Sequence, residues 1–120
     1  MKAGRKATGG QLKRPKKRKQ TGRMKESRVV KLGEKKTKYL RKRGGGRKLV
    51  ALTESSANVI VDGKSKMAEI KNVVETPSNT FLARQNVLVK GAFIETELGR
   101  AKITNRPSQE GFVQAVILSD

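Results

Sequence analysis

The positive charge of this chain and its apolar residues lie in different segments, and that separation limits what can fold. Residues 1–50 hold 21 Lys and Arg against only Glu26 and Glu34, a net of +19. Residues 51–120 hold 8 basic and 8 acidic residues and are neutral. Val, Ile, Leu, Met and Phe run the other way, 7 in residues 1–48 and 24 in residues 49–120. Folding must offset the conformational entropy of every ordered residue, and the first segment has too little apolar surface to do so alone. It is expected to be extended or mobile when free. The second segment can form a core, although a domain of this size has limited stability. The boundary is expected at Gly44-Gly45-Gly46, dividing the chain into a basic arm, 1–43, and a domain, 44–120. Three successive glycines do not suit the interior of a helix or strand. They suit a turn, a hinge, or backbone pressed against a phosphate.

A formal charge of +19 on 120 residues predicts attraction to a polyanion whatever the fold. Nucleic acid is the first candidate and an anionic membrane surface the second. The membrane is the poorer fit, because no amphipathic helix or lipidation signal is present. No apolar run approaches the ~20 residues that span a bilayer. The start, MKAGRKATGG, has charge but no apolar stretch behind it, so it does not read as a secretory signal and a cytoplasmic location is expected. There is no Cys and no His. Disulfides, thiolate metal sites and the commonest general base are therefore missing. Glu95 and Glu97, two apart, and the isolated Glu69 and Glu75 are better explained as solubilising charges than as catalytic acids. No enzyme, no cofactor and no metal are expected.

From residue 47 the signals are those of strands. RKLVALTE is a short strand. ANVIVDG followed by KSKMAEIKNVVE reads as a hairpin turning at Asp62-Gly63. Pro77 and Ser78 suit a turn, and Asn79 to Gln85 a short helix. VLVKG is expected to be a strand. AFIETELGRAKITN reads as a second hairpin turning at Leu98-Gly99, with Ala101 and Ile103 inward and Arg100 and Lys102 outward. RPSQEG is a loop, and FVQAVIL closes the chain as a strand expected to be buried on both faces. Short strands with turns every 8–12 residues give an all-β fold. The expectation is a small antiparallel β-barrel with one short helix, preceded by a long basic N-terminal extension. In that extension the run KRPKKRK is broken by Pro15, and no helix or strand period is visible. Val29 to Leu32 could be one strand or a docking point.

Two glycine–basic clusters stand out, GRKATGG (4–10) and RKRGGGRK (41–48). Neither is a P-loop, which needs GxxxxGK and then Ser or Thr between a strand and a helix. With 21 basic residues in one segment, contact with an RNA backbone is a better explanation than a merely solvated linker. The arm residues expected at RNA are Arg5, Lys6, Lys13, Arg14, Lys16, Lys17, Arg18, Lys19 and Arg23, then Lys38, Tyr39, Arg41, Lys42 and Arg43. Arg47 and Lys48 continue the set into the domain. Gly9, Gly10, Gly44, Gly45 and Gly46 would let backbone approach a phosphate. Tyr39, the single tyrosine, could stack on an unpaired base or simply pack on the domain with Leu40. Arg84, Lys90, Arg100, Lys102 and Arg106 could line a second basic face, or be ordinary solvated charges. With only four aromatics in the chain, phosphate and shape contacts with folded RNA are expected to dominate over stacking.

The stretch ETELGRAKITNRPSQEGFVQAVIL (95–118) resembles the C-terminal signature of the archaeal–eukaryotic small-subunit ribosomal protein family written S-eight-e. IKNVVETPSNTFLARQNVLVKGAFIE (70–95) is similar to the segment before it in that family, and the two glycine–basic clusters resemble its basic-TGG and Arg-Gly-Gly-x-x-Lys elements. The eukaryotic members carry a large insertion for which this chain has no room, so the resemblance is to the short, archaeal form. It departs in being Lys-rich between residues 11 and 40, where more Arg is expected, and in a glycine run of three. The resemblance implies a non-enzymatic barrel with a basic extension, monomeric within the ribosome. Its partners would be small-subunit ribosomal RNA and neighbouring small-subunit ribosomal proteins, in support of assembly and translation. It implies no membrane and no small-molecule substrate.

If the arm neutralises about ten phosphates, binding to small-subunit RNA should show a log–log salt slope on the order of −7 to −9. A filter-binding titration measures it, and a slope shallower than about −3 would remove the arm as a phosphate clamp.

Overall fold

A computed structural model describes residues 4–13, 16–23 and 26–119. Strands begin earlier than the composition implies. β1 (Lys31–Leu32), β2 (Lys36–Arg41) and β3 (Arg47–Glu54) form a three-stranded sheet in the order β1-β3-β2. β3 antiparallel to β2 makes a hairpin, and β1 runs parallel to the far end of β3. The hairpin turn is a 3-10 turn at Arg43–Gly45. Gly44 and Gly45 both take φ near +83°, a backbone that side chains rarely adopt, so the glycine run is what lets the hairpin reverse. Only Ser55 separates β3 from β4 (Ser56–Val61), so the hairpin sheet runs straight into the second sheet.

β4 continues into β5 (Lys64–Glu75), the short helix α1 (Thr80–Arg84), β6 (Phe93–Thr96), β7 (Gly99–Ile103) and β8 (Gln114–Ile117). β4 to β8 close into a five-stranded barrel. Successive strands are antiparallel, and with five of them the last returns parallel to the first, so the seam β4–β8 is a parallel pair. Two register shifts along β5, at Ile70/Asn72 and Val73/Glu75, bend this longest strand around the barrel. Small barrels leave little interior room. The inward positions accordingly hold Ala57, Ala68, Ala101 and Ala115 beside Val59, Ile70, Val73, Ile94, Ile103 and Val113. Asn79 caps α1, its side-chain oxygen accepting from the Phe81 amide at 3.0 Å.

The hairpin sheet is fastened to the barrel on two sides. Val30 is buried in the barrel core cluster. Its carbonyl accepts from the Leu88 amide at 2.8 Å, and the Leu32 amide donates to the Asn86 carbonyl at 2.9 Å. On the other side the loop between β7 and β8 lies along β3. The Ala51 amide is shared between the Pro107 and Glu110 carbonyls, at 3.2 and 3.0 Å. Leu49 rests on Gly111.

Six strands from residue 47 onward, both hairpins, the short helix and the 106–111 loop agree with the expectation. Val29 to Leu32, expected to be a strand or a docking point, is both, with Val30 in the core and Lys31–Leu32 as β1. Four details differ. Residues 36–41, expected to be extended, are β2, because β3 offers them a backbone edge. VLVKG is not a barrel strand. Val87 makes a single bridge with Lys31, and its neighbours are buried by the docked 30–32 segment rather than by a sheet. The second hairpin turns at Glu97-Leu98, one residue earlier, with Gly99 already in β7. β8 is buried on one face only. Ala115 points in, while Val116 and Leu118 stay 39% and 37% exposed, since among the described residues no layer covers the barrel there.

A Cβ built on Gly111 would lie 2.5 Å from Leu49 Cδ2 and 2.7 Å from its Cγ. Gly111→Ala should therefore destabilise the protein by ~1–3 kcal/mol in urea unfolding. Most of that loss should vanish in a Leu49→Ala background. An equal loss in both backgrounds would mean that the contact does not join hairpin to barrel.

Candidate RNA interface

The β2–β3 hairpin presents cations on both faces. Directly opposed residues of an antiparallel pair share a face. Arg41 opposes Arg47 and Tyr39 opposes Leu49, which puts Tyr39 and two guanidinium groups together. Lys38 opposes Val50 and Leu40 opposes Lys48 on the other face, where Lys48 Nζ donates to Gln109 Oε1. Lys42 and Arg43 extend the charge around the turn. Tyr39 is 66% exposed, so packing on the domain is not its role.

A second concentration forms where the arm meets the barrel. Arg28, Lys90 and Arg106 line a cleft of about 230 Å³ together with Leu88, Val89, Pro107 and Ser108. No carboxylate lines it. Arg28 Nη2 donates to the Ser108 carbonyl at 3.2 Å, which holds that guanidinium at the rim. Converging like charges with no acid among them raise the local potential and favour an anion.

The GRKATGG segment forms a closed turn. Arg5 bridges Gln11, the Lys6 amide donates to the Gly10 carbonyl at 2.7 Å, and the Leu12 amide donates to the Gly4 carbonyl at 2.9 Å. Arg5 and Lys6 are exposed on it. Lys13, Lys16 to Lys19 and Arg23 are also exposed, around a 3-10 turn at Gln20–Gly22.

The family model described as Ribosomal protein S8e matches residues 1–118. The chain belongs to the ribosomal protein S8e family. Similar relatives are small ribosomal subunit proteins eS8 of archaea. That of Halorubrum lacusprofundi is 45% identical over 116 residues, covering 95% of this chain and 93% of the relative. That of Haloquadratum walsbyi is 42% identical over 118 residues, 97% and 93% of the two chains. That of Methanocella arvoryzae is 39% identical over 122 residues, 98% and 96% of the two chains. The match thus takes in the arm as well as the barrel, and none of these relatives is named as an enzyme.

In this S8e chain the expected site residues fall into groups. Tyr39, Arg41 and Arg47 come together, as do Lys90 and Arg106. Arg84 stands apart, exposed at the end of α1. Arg100 lies 3.9 Å from Glu75 and 5.4 Å from the Phe93 ring centre, with Lys102 Nζ 5.7 Å from the same ring. Arg14 lies outside the described residues. Glu95 is exposed opposite Arg100 and Glu97 sits in the following turn. Both line one open cavity of about 480 Å³, which Arg100 shares. Sequence reasoning passed over Arg28, which only the folded 30–32 segment brings to the cleft. It also passed over Glu54. That carboxylate is 1% exposed at the β3–β4 junction, 3.6 Å from Lys35 Nζ and 3.4 Å from the Ser56 hydroxyl that donates to it. Lys35 approaches it from the β1–β2 turn with its own side chain 61% exposed, and among the described residues Glu54 Oε2 is left without a hydrogen-bond donor. In RKLVALTES nothing distinguishes Glu54 from a solvated strand-end charge.

Proposed function

We propose that this S8e protein is a structural component of the small ribosomal subunit, working in the cytoplasm, that binds ribosomal RNA and supports assembly and translation. The arm, 1–43, neutralises phosphates between RNA helices, and the barrel, 44–120, docks on folded RNA as a wedge. The observation that carries this is the confinement of the whole +19 to residues 1–50, within an S8e chain. The hairpin turn concentrates part of that charge, and at the arm–barrel cleft Arg28 joins Lys90 and Arg106 of the domain. Arg clamps phosphate oxygens in pairs, while Lys adds point charge. Gly9, Gly10 and Gly44 to Gly46 carry no side chain that would keep a phosphate from the backbone. Neighbouring ribosomal proteins are the expected protein partners. The archaeal eS8 relatives, named as small-subunit proteins, support the ribosomal address.

The competing function is a general nucleic-acid compactor, which would share the charge but not the fit to folded RNA. Competition between small-subunit RNA and duplex DNA for the full-length protein separates them. Preference for the RNA by at least tenfold at equal salt is expected. Equal affinity, or release of the protein from ribosomes in a high-salt wash, would overturn the proposal.

A further inference from the structure

Arg41 and Arg47 stand directly opposite one another across the β2–β3 hairpin. Like charges at directly opposed positions are destabilising in a sheet. Among the described residues two ion pairs form, Lys35–Glu54 and Arg100–Glu75, and neither relieves this pair. The next opposed pair on the same face is Tyr39 and Leu49. Leu49 is occupied by Gly111, but the Tyr39 ring is 66% exposed in mid-strand. A flat, exposed ring next to two unpaired guanidinium groups has the makings of a base-stacking platform with phosphate clamps beside it. Met67, the most exposed apolar side chain on the barrel wall, is opposed in register by Asn58 and not by a cation.

We propose that this face of the hairpin is a binding site for one unpaired nucleotide of RNA, with the base stacked on Tyr39 and its flanking phosphates held by Arg41 and Arg47. The site rests on the RNA-binding function proposed above and adds to it. The rest of the arm contributes charge without regard to bases, whereas Tyr39 requires an unstacked base. The anion also accounts for the opposed arginines, because a phosphate between them turns a repulsion into a bridge. The face is rigid, since β2 is paired along its length with β3 and β3 is fixed to the 107–111 loop. The ring therefore needs little ordering on binding.

Tyr39→Ile and Tyr39→Phe separate stacking from strand formation, because both suit a strand and only Phe keeps a ring. Affinities of full-length variants are measured for small-subunit RNA and for heparin, a polyanion without bases. Tyr39→Ile should lose roughly 5- to 150-fold on RNA, the range for one stacked base. Tyr39→Phe should stay within about threefold of wild type, well inside that range. Neither should change heparin affinity or the salt slope. Arg47→Thr should weaken RNA binding and lower the salt slope by about one. It should also raise the thermal midpoint of the free protein by roughly 1–5 °C as the repulsion is relieved. If Tyr39→Ile binds RNA as tightly as wild type, or loses heparin affinity equally, the nucleotide site is wrong. Weak, salt-insensitive RNA binding by the wild type would instead remove the RNA-binding function itself.

Discussion

The parallel pairing of β8 with β4 is the constraint on which the rest of the molecule depends. An antiparallel meander of five strands has two free edges, and closing it buries both. Closure brings the 104–113 loop back across the start of β4, alongside β3. There the loop carbonyls of Pro107 and Glu110 meet the Ala51 amide, Gly111 receives Leu49, and Gln109 accepts from Lys48. The neutral barrel thereby fixes the direction of a hairpin that carries much of the chain's charge. Without the seam, β3 would lose the loop's hydrogen bonds at Ala51, and the cations at the turn would have a looser relation to those of the barrel.

That arrangement explains how so basic a segment can be ordered at all. The arm lacks apolar residues, but the few it has are used where they matter. Val30 is buried in the barrel core, and the exposed Lys35 lies 3.6 Å from the buried Glu54 at the junction. Among the described residues no acidic partner faces Arg41 and Arg47, nor Arg28, Lys90 and Arg106. A chain selected for its own stability would have interleaved carboxylates at such positions. Like charges so placed cost stability in the free protein, and on the function proposed above a bound polyanion would recover it.

Much of this was legible in the sequence. The Asp62-Gly63 turn, the alternation in AKIT and the Pro77-Ser78 turn before Asn79 to Gln85 announced the barrel's hairpins and helix, because each depends on local chemistry. What remained hidden depends on partners distant in sequence. KTKYLR shows no apolar alternation and is exposed along nearly its whole length, and the strand exists only because β3 pairs with it. VLVK looks like a barrel strand, yet Val87 and Leu88 are buried by residues 30–32. Glu54 and Arg28 acquire their roles from contacts with Lys35 and with Ser108, which no local pattern reveals. The family resemblance rested on residues 70–118 and the two glycine clusters, and the S8e match extends it over residues 1–118.

On the function proposed above, the arm, the β2–β3 hairpin and the cleft contact RNA, and no contact is assigned to the β4–β5 hairpin. Lysine acetylation read by mass spectrometry, on the free full-length protein and on assembled small subunits, tests this directly. Lys6, Lys38, Lys48 and Lys90 should be modified in the free protein and strongly protected in the subunit, whereas Lys64 and Lys66 should change little. Uniform protection of all lysines, or protection of Lys64 and Lys66 with Lys38 and Lys90 still reactive, would contradict the account.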